Sequence, residues 1–195
     1  SHDVIDRLRK ITGIRTIGHA GTLDPLARGV LVVGIGKKAT QGLARIVHDE
    51  KEYVAVVRLG IESATDDAEG LLVEKQKEDT PLSMSDIQQA LEKFTGKIKQ
   101  VPPVYSAIKI RGKEAYKRAR RGEHIIMAAR EVMIKKIALI AYQWPVITLR
   151  VVTGPGVYIR ALARDLGRAL GVGGYLADLE RTRVGEFTKE KSFTI

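Results

Sequence analysis

Apolar side chains recur along this chain with two periods, and the switches between them predict the order of its elements. Val4, Ile5, Leu8 and Ile11 follow helical spacing, so the chain opens on a helix. Arg15 to His19 is extended, and Val30 to Val33 has the β-branched composition of a buried strand. Lys38 to Val47 returns to a helix. From Tyr53 to Leu59 the residues alternate, with Tyr53, Ala55, Val57 and Leu59 on one face and Val54, Val56 and Arg58 on the other. Glu62 to Gly70 is an acidic, turn-rich connection to a further strand at Leu71 to Glu74. Ser85 followed by Gln88 forms a capping box for a helix through Phe94, with Gly96 as its stop. After Val101-Pro-Pro-Val104, strands are predicted at Tyr105 to Ile110, Val132 to Ala141 and Val146 to Val152. A helix from Tyr158 to Leu170 and a strand near Tyr175 to Arg183 close the pattern.

Strands outnumber helices and often follow one another directly. The expected fold class is therefore α+β, with a mixed, mostly antiparallel central sheet flanked by helices, and not a doubly wound sheet. This weakens a loose dinucleotide fingerprint, Gly34-Ile-Gly36-Lys-Lys-Ala39 with Glu52 downstream, which lacks the βαβ rhythm it needs. A phosphate-binding Walker A loop fails at two positions, where Leu31 and Lys38 stand.

Composition narrows the partners. The 195 residues are 44% apolar, enough for one cored domain. Lys and Arg number 33 against 23 Asp and Glu, a net charge of +10 that suits a polyanion. No apolar run approaches the roughly 20 residues of a membrane span, and no leader pattern opens the chain, so a cytoplasmic location and no membrane partner are expected. Cysteine is absent, and His2, His19, His48 and His124 show no ligand spacing. The simplest chemistry uses no metal and no cofactor.

The candidate chemistry lies in Gly18 to Leu31, which holds one carboxylate, one imidazole, three glycines and a proline between apolar segments. The glycines permit positive φ and close approach of a ligand, and Pro25 stiffens the turn after Asp24. An Asp before Pro is on its own an ordinary turn former whose side chain bonds its own backbone. A second feature is basic. Lys109, Arg111, Lys113, Lys117, Arg118, Arg120 and Arg121 set seven cations against the single acid Glu114, interleaved with Tyr105 and Tyr116. Such a run is often a solvated face, but with the global charge it reads as a phosphate-binding stripe.

Four segments in order resemble the TruB family of tRNA pseudouridine synthases: the Asp24 loop, Lys51-Glu52-Tyr53, Gly156-Val157-Tyr158-Ile159-Arg160, and Leu179-Glu180-Arg181-Thr182-Arg183-Val184-Gly185. The resemblance spans nearly all of Ser1 to Phe187. It implies the pseudouridine synthase catalytic core, a catalytic Asp24, and isomerisation of the T-loop uridine conventionally numbered 55. It further implies that Tyr53 stacks on the flipped base and that His19 contacts the RNA where the base left. Tyr158 would be a second pocket ring, Arg160 would pair with Asp24, and Leu179 would wall the uracil pocket. Val101 to Gly122 resembles the insertion that grips the tRNA T arm, so residues 1–195 read as one catalytic domain in which a basic insertion at about 101–130 contacts RNA; a monomer is expected. The resemblance also implies a strand before Ser1, of which only the last residue is present, and leaves no room for a C-terminal PUA domain. Ala20, Arg28, Val157 and Glu180 depart from the usual pattern, and Arg28 and Glu180 are candidates to tune RNA grip or substrate choice. Three alternatives stand beside this reading: a guide-RNA-dependent synthase subunit, a noncatalytic tRNA chaperone, and an inactive fragment.

Overall fold

The computed structural model describes residues 1–75, 81–110 and 112–195. The elements, in chain order, are α1 (His2–Thr12), β1 (Ile17–His19), β2 (Ala27–Gly29), β3 (Val33–Ile35), α2 (Lys37–Ile46), β4 (Lys51–Leu59), β5 (Ile61–Ser63) and β6 (Leu72–Glu74). They continue with α3 (Met84–Glu92), β7 (Gly96–Gln100), β8 (Lys109–Ile110), β9 (Lys113–Glu114), α4 (Ala115–Ala119), β10 (Arg130–Gln143), β11 (Val146–Thr153), α5 (Ile159–Ala169), β12 (Gly174–Val184) and β13 (Phe187–Thr188). Among the described residues no helix is long and apolar enough to cross a membrane.

The main sheet runs β13-β12-β4-β11-β10-β7, antiparallel throughout, and β2 joins the outer side of β12 in parallel. β4 occupies the middle because its alternation is unbroken: Tyr53, Ala55, Val57 and Leu59 are all buried. Their face meets α5, which contributes Ile159, Leu162, Ala163 and Leu166, together with Ile87 and Leu91 of α3 and Ile147, Leu149 and Val151 of β11. At about 25 cal/mol per Å² of buried apolar surface, this continuous layer is the main stabilising term. A smaller cluster of Ala20, Val30, Val32, Leu43 and Val184 sits under α2. The βαβ unit that a dinucleotide site requires is absent here, since β3, which precedes α2, pairs antiparallel with β1. Gly34 has a packing reason instead: a Cβ there would stand 2.9 Å from the Ala39 backbone.

Several expectations are corrected. Of the apolar run Val30 to Val33 only Val33 is strand, the first residue of β3; Val30 to Val32 link β2 to β3. The Val30 N–H donates to the Arg181 carbonyl at 2.7 Å, so the chain leaves β12 there instead of extending the ladder. The capping box is Ser83 with Asp86, whose side chain and backbone groups bond reciprocally, and α3 ends at Glu92. Ser85 is already in the first turn, where its Oγ meets Gln89 Nε2 at 3.4 Å. Of Tyr105 to Ile110 only Lys109–Ile110 is strand, because the Tyr105 carbonyl accepts from Arg160 of α5 and the Ser106 and Ile108 carbonyls accept from the Tyr116 and Ala115 N–H groups of α4. The Leu71 to Glu74 strand exists as β6, yet Leu72 and Val73 are exposed, since β6 pairs only with β5 at the periphery. β7 was hidden because its inward positions are Ile98 and the polar Gln100.

Candidate active site

The Asp24 loop is fixed at both ends by one buried guanidinium. Arg181, in β12 and 2% exposed, donates from Nε to the Val30 carbonyl at 2.8 Å and from Nη2 to the Gly21 carbonyl at 3.1 Å. Gly29 allows the approach: its φ is +100°, and a Cβ there would lie 2.2 Å from the Arg181 carbonyl oxygen. Between these anchors Ala27 N–H donates to the Asp24 carbonyl at 2.9 Å, closing the turn around Pro25.

Arg160, in the first turn of α5, grips the carboxylate side by side. Its Nε donates to Asp24 Oδ2 at 2.9 Å and its Nη2 to Oδ1 at 3.1 Å. The remaining N–H groups are also used: Nη1 meets Asp67 Oδ2 and the Thr65 carbonyl, each at 3.2 Å, and Nη2 meets the Tyr105 carbonyl at 3.0 Å. A guanidinium has five donors, and here all five point at acceptors. The fork is locked, and with it the carboxylate. Arg160 and Asp67 side chains are 6% and 3% exposed, whereas Asp24 is 32% exposed. One carboxylate is thus sealed behind the arginine while the other presents an open side to a ligand.

Two phenols share this region. Tyr53 points inward from β4; burial pushes its hydroxyl up from the ordinary value, and the positive charge of Arg181 acts against that shift. Tyr158 stands at the N-cap of α5, and burial pushes its hydroxyl up too, with Ser106 opposing. The negative charge of Asp24 acts on both rings in the same direction. Both therefore stay protonated at neutral pH. Leu179, buried in β12, lies between Ala55 of β4 and Ala27 of β2, and belongs to the same apolar cluster as Tyr53, Leu26 and Val157. Apolar walls, two rings and one half-open carboxylate are what a flat uncharged base with an attached sugar requires.

His19 opens the loop from β1, opposite Val33. Its Nδ1 is buried and makes no hydrogen bond within the described residues. Burial, with the nearby His2 and Arg181, holds its pKa below the usual 6.5, so the imidazole is neutral at pH 7. The ring borders a cavity of about 230 Å³ shared with His2, Ile5, Asp6, Arg9, Ile17 and Gly18.

The basic run forms the β8–β9 hairpin and α4, outside the main sheet. Lys109, Lys113, Arg120 and Arg121 are exposed. Lys117 pairs with Glu114 at 3.2 Å and Arg118 with Glu123 at 2.6 Å, so acids temper two of the seven cations. Tyr116 lies 5.8 Å from the Lys117 ammonium and 5.7 Å from the Arg120 guanidinium. Arg111 lies outside the described residues. Arg28 and Glu180 face each other across β2 and β12, but Arg28 pairs with Asp178 and Glu180 with Lys189, so both are engaged within the fold.

Sequence reasoning missed three residues that hold the site together. Asp67 sits in what read as a solvated acidic connection, Gln100 in a short Lys-rich stretch, and Arg181 among the charged residues of β12. The one available signal was acidic clustering at Asp66-Asp67 in a strongly basic chain, which is also what a plain turn looks like.

Comparison with known proteins decides the family. A model described as TruB family pseudouridylate synthase (N terminal domain) matches residues 9–159, and one described as tRNA pseudouridylate synthase B C-terminal domain matches residues 160–195. The chain belongs to the TruB family of pseudouridylate synthases. Among TruB relatives, tRNA pseudouridine synthase B of Thermobifida fusca is 46% identical, covering 100% of this chain and 69% of that protein. That of Leifsonia xyli subsp. xyli is 46% identical, covering 96% of this chain and 64% of that protein. That of Mycobacterium bovis is 44% identical, with 98% and 65% covered. The chain thus spans about two thirds of the length of these TruB proteins. Among solved structures, a Cbf5–Nop10–Gar1 complex matches with a TM-score of 0.72 at 30% identity, over 96% of this chain and 46% of that one. An H/ACA RNP bound to a substrate RNA containing 2′-deoxyuridine gives 0.69 at 28% identity, over 96% and 44%. The α+β pseudouridine synthase core expected from the sequence is therefore the fold.

Proposed function

We propose that this chain isomerises the T-loop uridine at position 55 of tRNA to pseudouridine, without metal or cofactor. The observation that carries the reading is the half-exposed Asp24 held in a bidentate pair by a fully bonded Arg160, within a TruB-family core. The reaction breaks the C1′–N1 bond, turns the uracil, and joins C1′ to C5; the hydrogen on C5 leaves and N1 gains one. Asp24 acts on the sugar, as nucleophile toward C1′ or as base on the ribose. Arg160 fixes the carboxylate geometry, and preorganisation of this kind contributes a large share of catalysis.

A uridine inside a folded T loop must first be extruded, at a cost of a few kcal/mol. Tyr53 stacks on the extruded base, Tyr158 and Leu179 confine its plane, and the neutral His19 occupies the RNA where the base left. Lys109, Lys113, Lys117, Arg118, Arg120 and Arg121, with Arg111, supply phosphate contacts from the 101–130 insertion. The proposed working unit is a monomer acting in the cytoplasm. The tRNA enzymes are the more similar relatives, 46% against 30% identical, which favours a free tRNA T arm over the ribonucleoprotein setting of the solved structures.

The test offers the protein a T-arm hairpin and reads pseudouridine by chromatography of the digested RNA. Conversion is expected for that hairpin and not for an anticodon-arm hairpin of equal length. Equal conversion of both would overturn the substrate assignment, and conversion of neither would overturn the activity.

A further inference from the structure

Gln100 ends β7 and is 2% exposed, and both polar atoms of its amide are spent on a single residue. Its Oε1 accepts from the Tyr158 N–H at 2.9 Å, and its Nε2 donates to the Tyr158 carbonyl at 3.1 Å. This is the two-bond exchange of an antiparallel residue pair, made by a side chain. Tyr158 has need of it. The residue follows Gly154-Pro155-Gly156-Val157, is extended at φ −104° and ψ 113°, and caps α5 without a side-chain bond of its own. Its carbonyl also accepts the first helical bond, from Leu162 N–H at 3.1 Å. Gln100 therefore fixes the point at which α5 begins, and Arg160 lies two residues further on.

We propose that Gln100 is a positioning residue, which holds the Tyr158 backbone so that the Tyr158 ring and the Arg160 fork stay in register with Asp24. The inference rests on the pocket role given above to Tyr158 and Arg160. The location adds a consequence. The basic segment leaves the sheet at Gln100 and returns at Arg130, the residue paired with it, so the clamp joins the root of the RNA-gripping segment to the base pocket. Arg164 makes a parallel tie from α5, its Nη2 donating to the Val101 carbonyl at 2.8 Å.

Gln100→Leu keeps most of the volume and removes both bonds, while Gln100→Glu keeps the acceptor facing the Tyr158 N–H. The expected result for Gln100→Leu is a kcat on the T-arm hairpin lower by roughly 30- to 100-fold, because ångström-scale misplacement of reacting groups costs about that much. KM is expected to stay within about threefold, since Gln100 faces no phosphate, and Gln100→Glu is expected to recover part of the rate. Amide hydrogen exchange supplies a readout independent of catalysis: exchange at Tyr158 and Leu162, whose N–H groups bond Gln100 and the Tyr158 carbonyl, should rise about tenfold in Gln100→Leu with β11 unchanged. Parental kcat in Gln100→Leu, or exchange raised evenly over the whole sheet, would overturn the assignment. If the unaltered protein makes no pseudouridine, the functional reading fails, and the exchange comparison alone decides the clamp.

Discussion

At the residue scale the site is a matter of matched donors and acceptors. Arg160 touches two carboxylates and two carbonyls, and that geometry needs the planar fork of arginine and not merely a positive charge. Arg160→Lys keeps the charge but can meet Asp24 through one nitrogen only. The expected outcome is a single-turnover rate lower by about 100-fold, with hairpin affinity changed by no more than about threefold because Arg160 is sealed from solvent. A rate within fivefold of the parent would show that charge alone suffices. The residues visible in the sequence were those with unusual local company: Asp24 among glycines, Tyr53 on a clean alternation, and the cations of the 109–121 run. Gln100 was invisible and Asp67 nearly so, because burial is what separates them from ordinary surface residues, and burial is set by distant parts of the chain.

At the element scale, long periodic segments were legible and short ones were not. β4, β11, β12 and α5 follow their patterns closely, since each has a wide apolar face to bury, and α1, α2 and β10 keep their expected places although each buries a single residue, Ile5, Leu43 and Ile134. The error at Val30 to Val33 has a tertiary cause: the chain exchanges partners from β12 to β1 within three residues, and buried linker and buried strand share one composition. β2 depends on a close approach that the sequence only hints at through Gly29. Gly29→Ala would place a Cβ 2.2 Å from the Arg181 carbonyl at a φ of +100°. A destabilisation of about 2–4 kcal/mol is expected in urea unfolding, with loss of activity following from the displaced loop. A change under about 0.5 kcal/mol would mean that β2 shifts without strain.

At the scale of the whole molecule, the net charge of +10 is unevenly organised. Buried cations such as Arg160 and Arg181 line the Asp24 region, while Lys109, Lys113, Arg120 and Arg121 are exposed on and beside a separate hairpin and short helix. This division predicts that affinity and chemistry separate. Replacing Lys113, Arg120 and Arg121 with Ala should reduce the slope of log affinity against log salt by roughly one unit per charge, while the rate at saturating RNA changes little. An unchanged slope would move the phosphate contacts elsewhere on the surface.

The most direct test follows release of tritium from a T-arm hairpin labelled at uridine C5, with the protein and its Asp24→Asn variant at equal hairpin occupancy. Release by the parent and none by Asp24→Asn, with hairpin binding retained in both, is the predicted result. Release by Asp24→Asn at the parental rate would contradict it, because the carboxylate that Arg160 holds would then have no part in the chemistry.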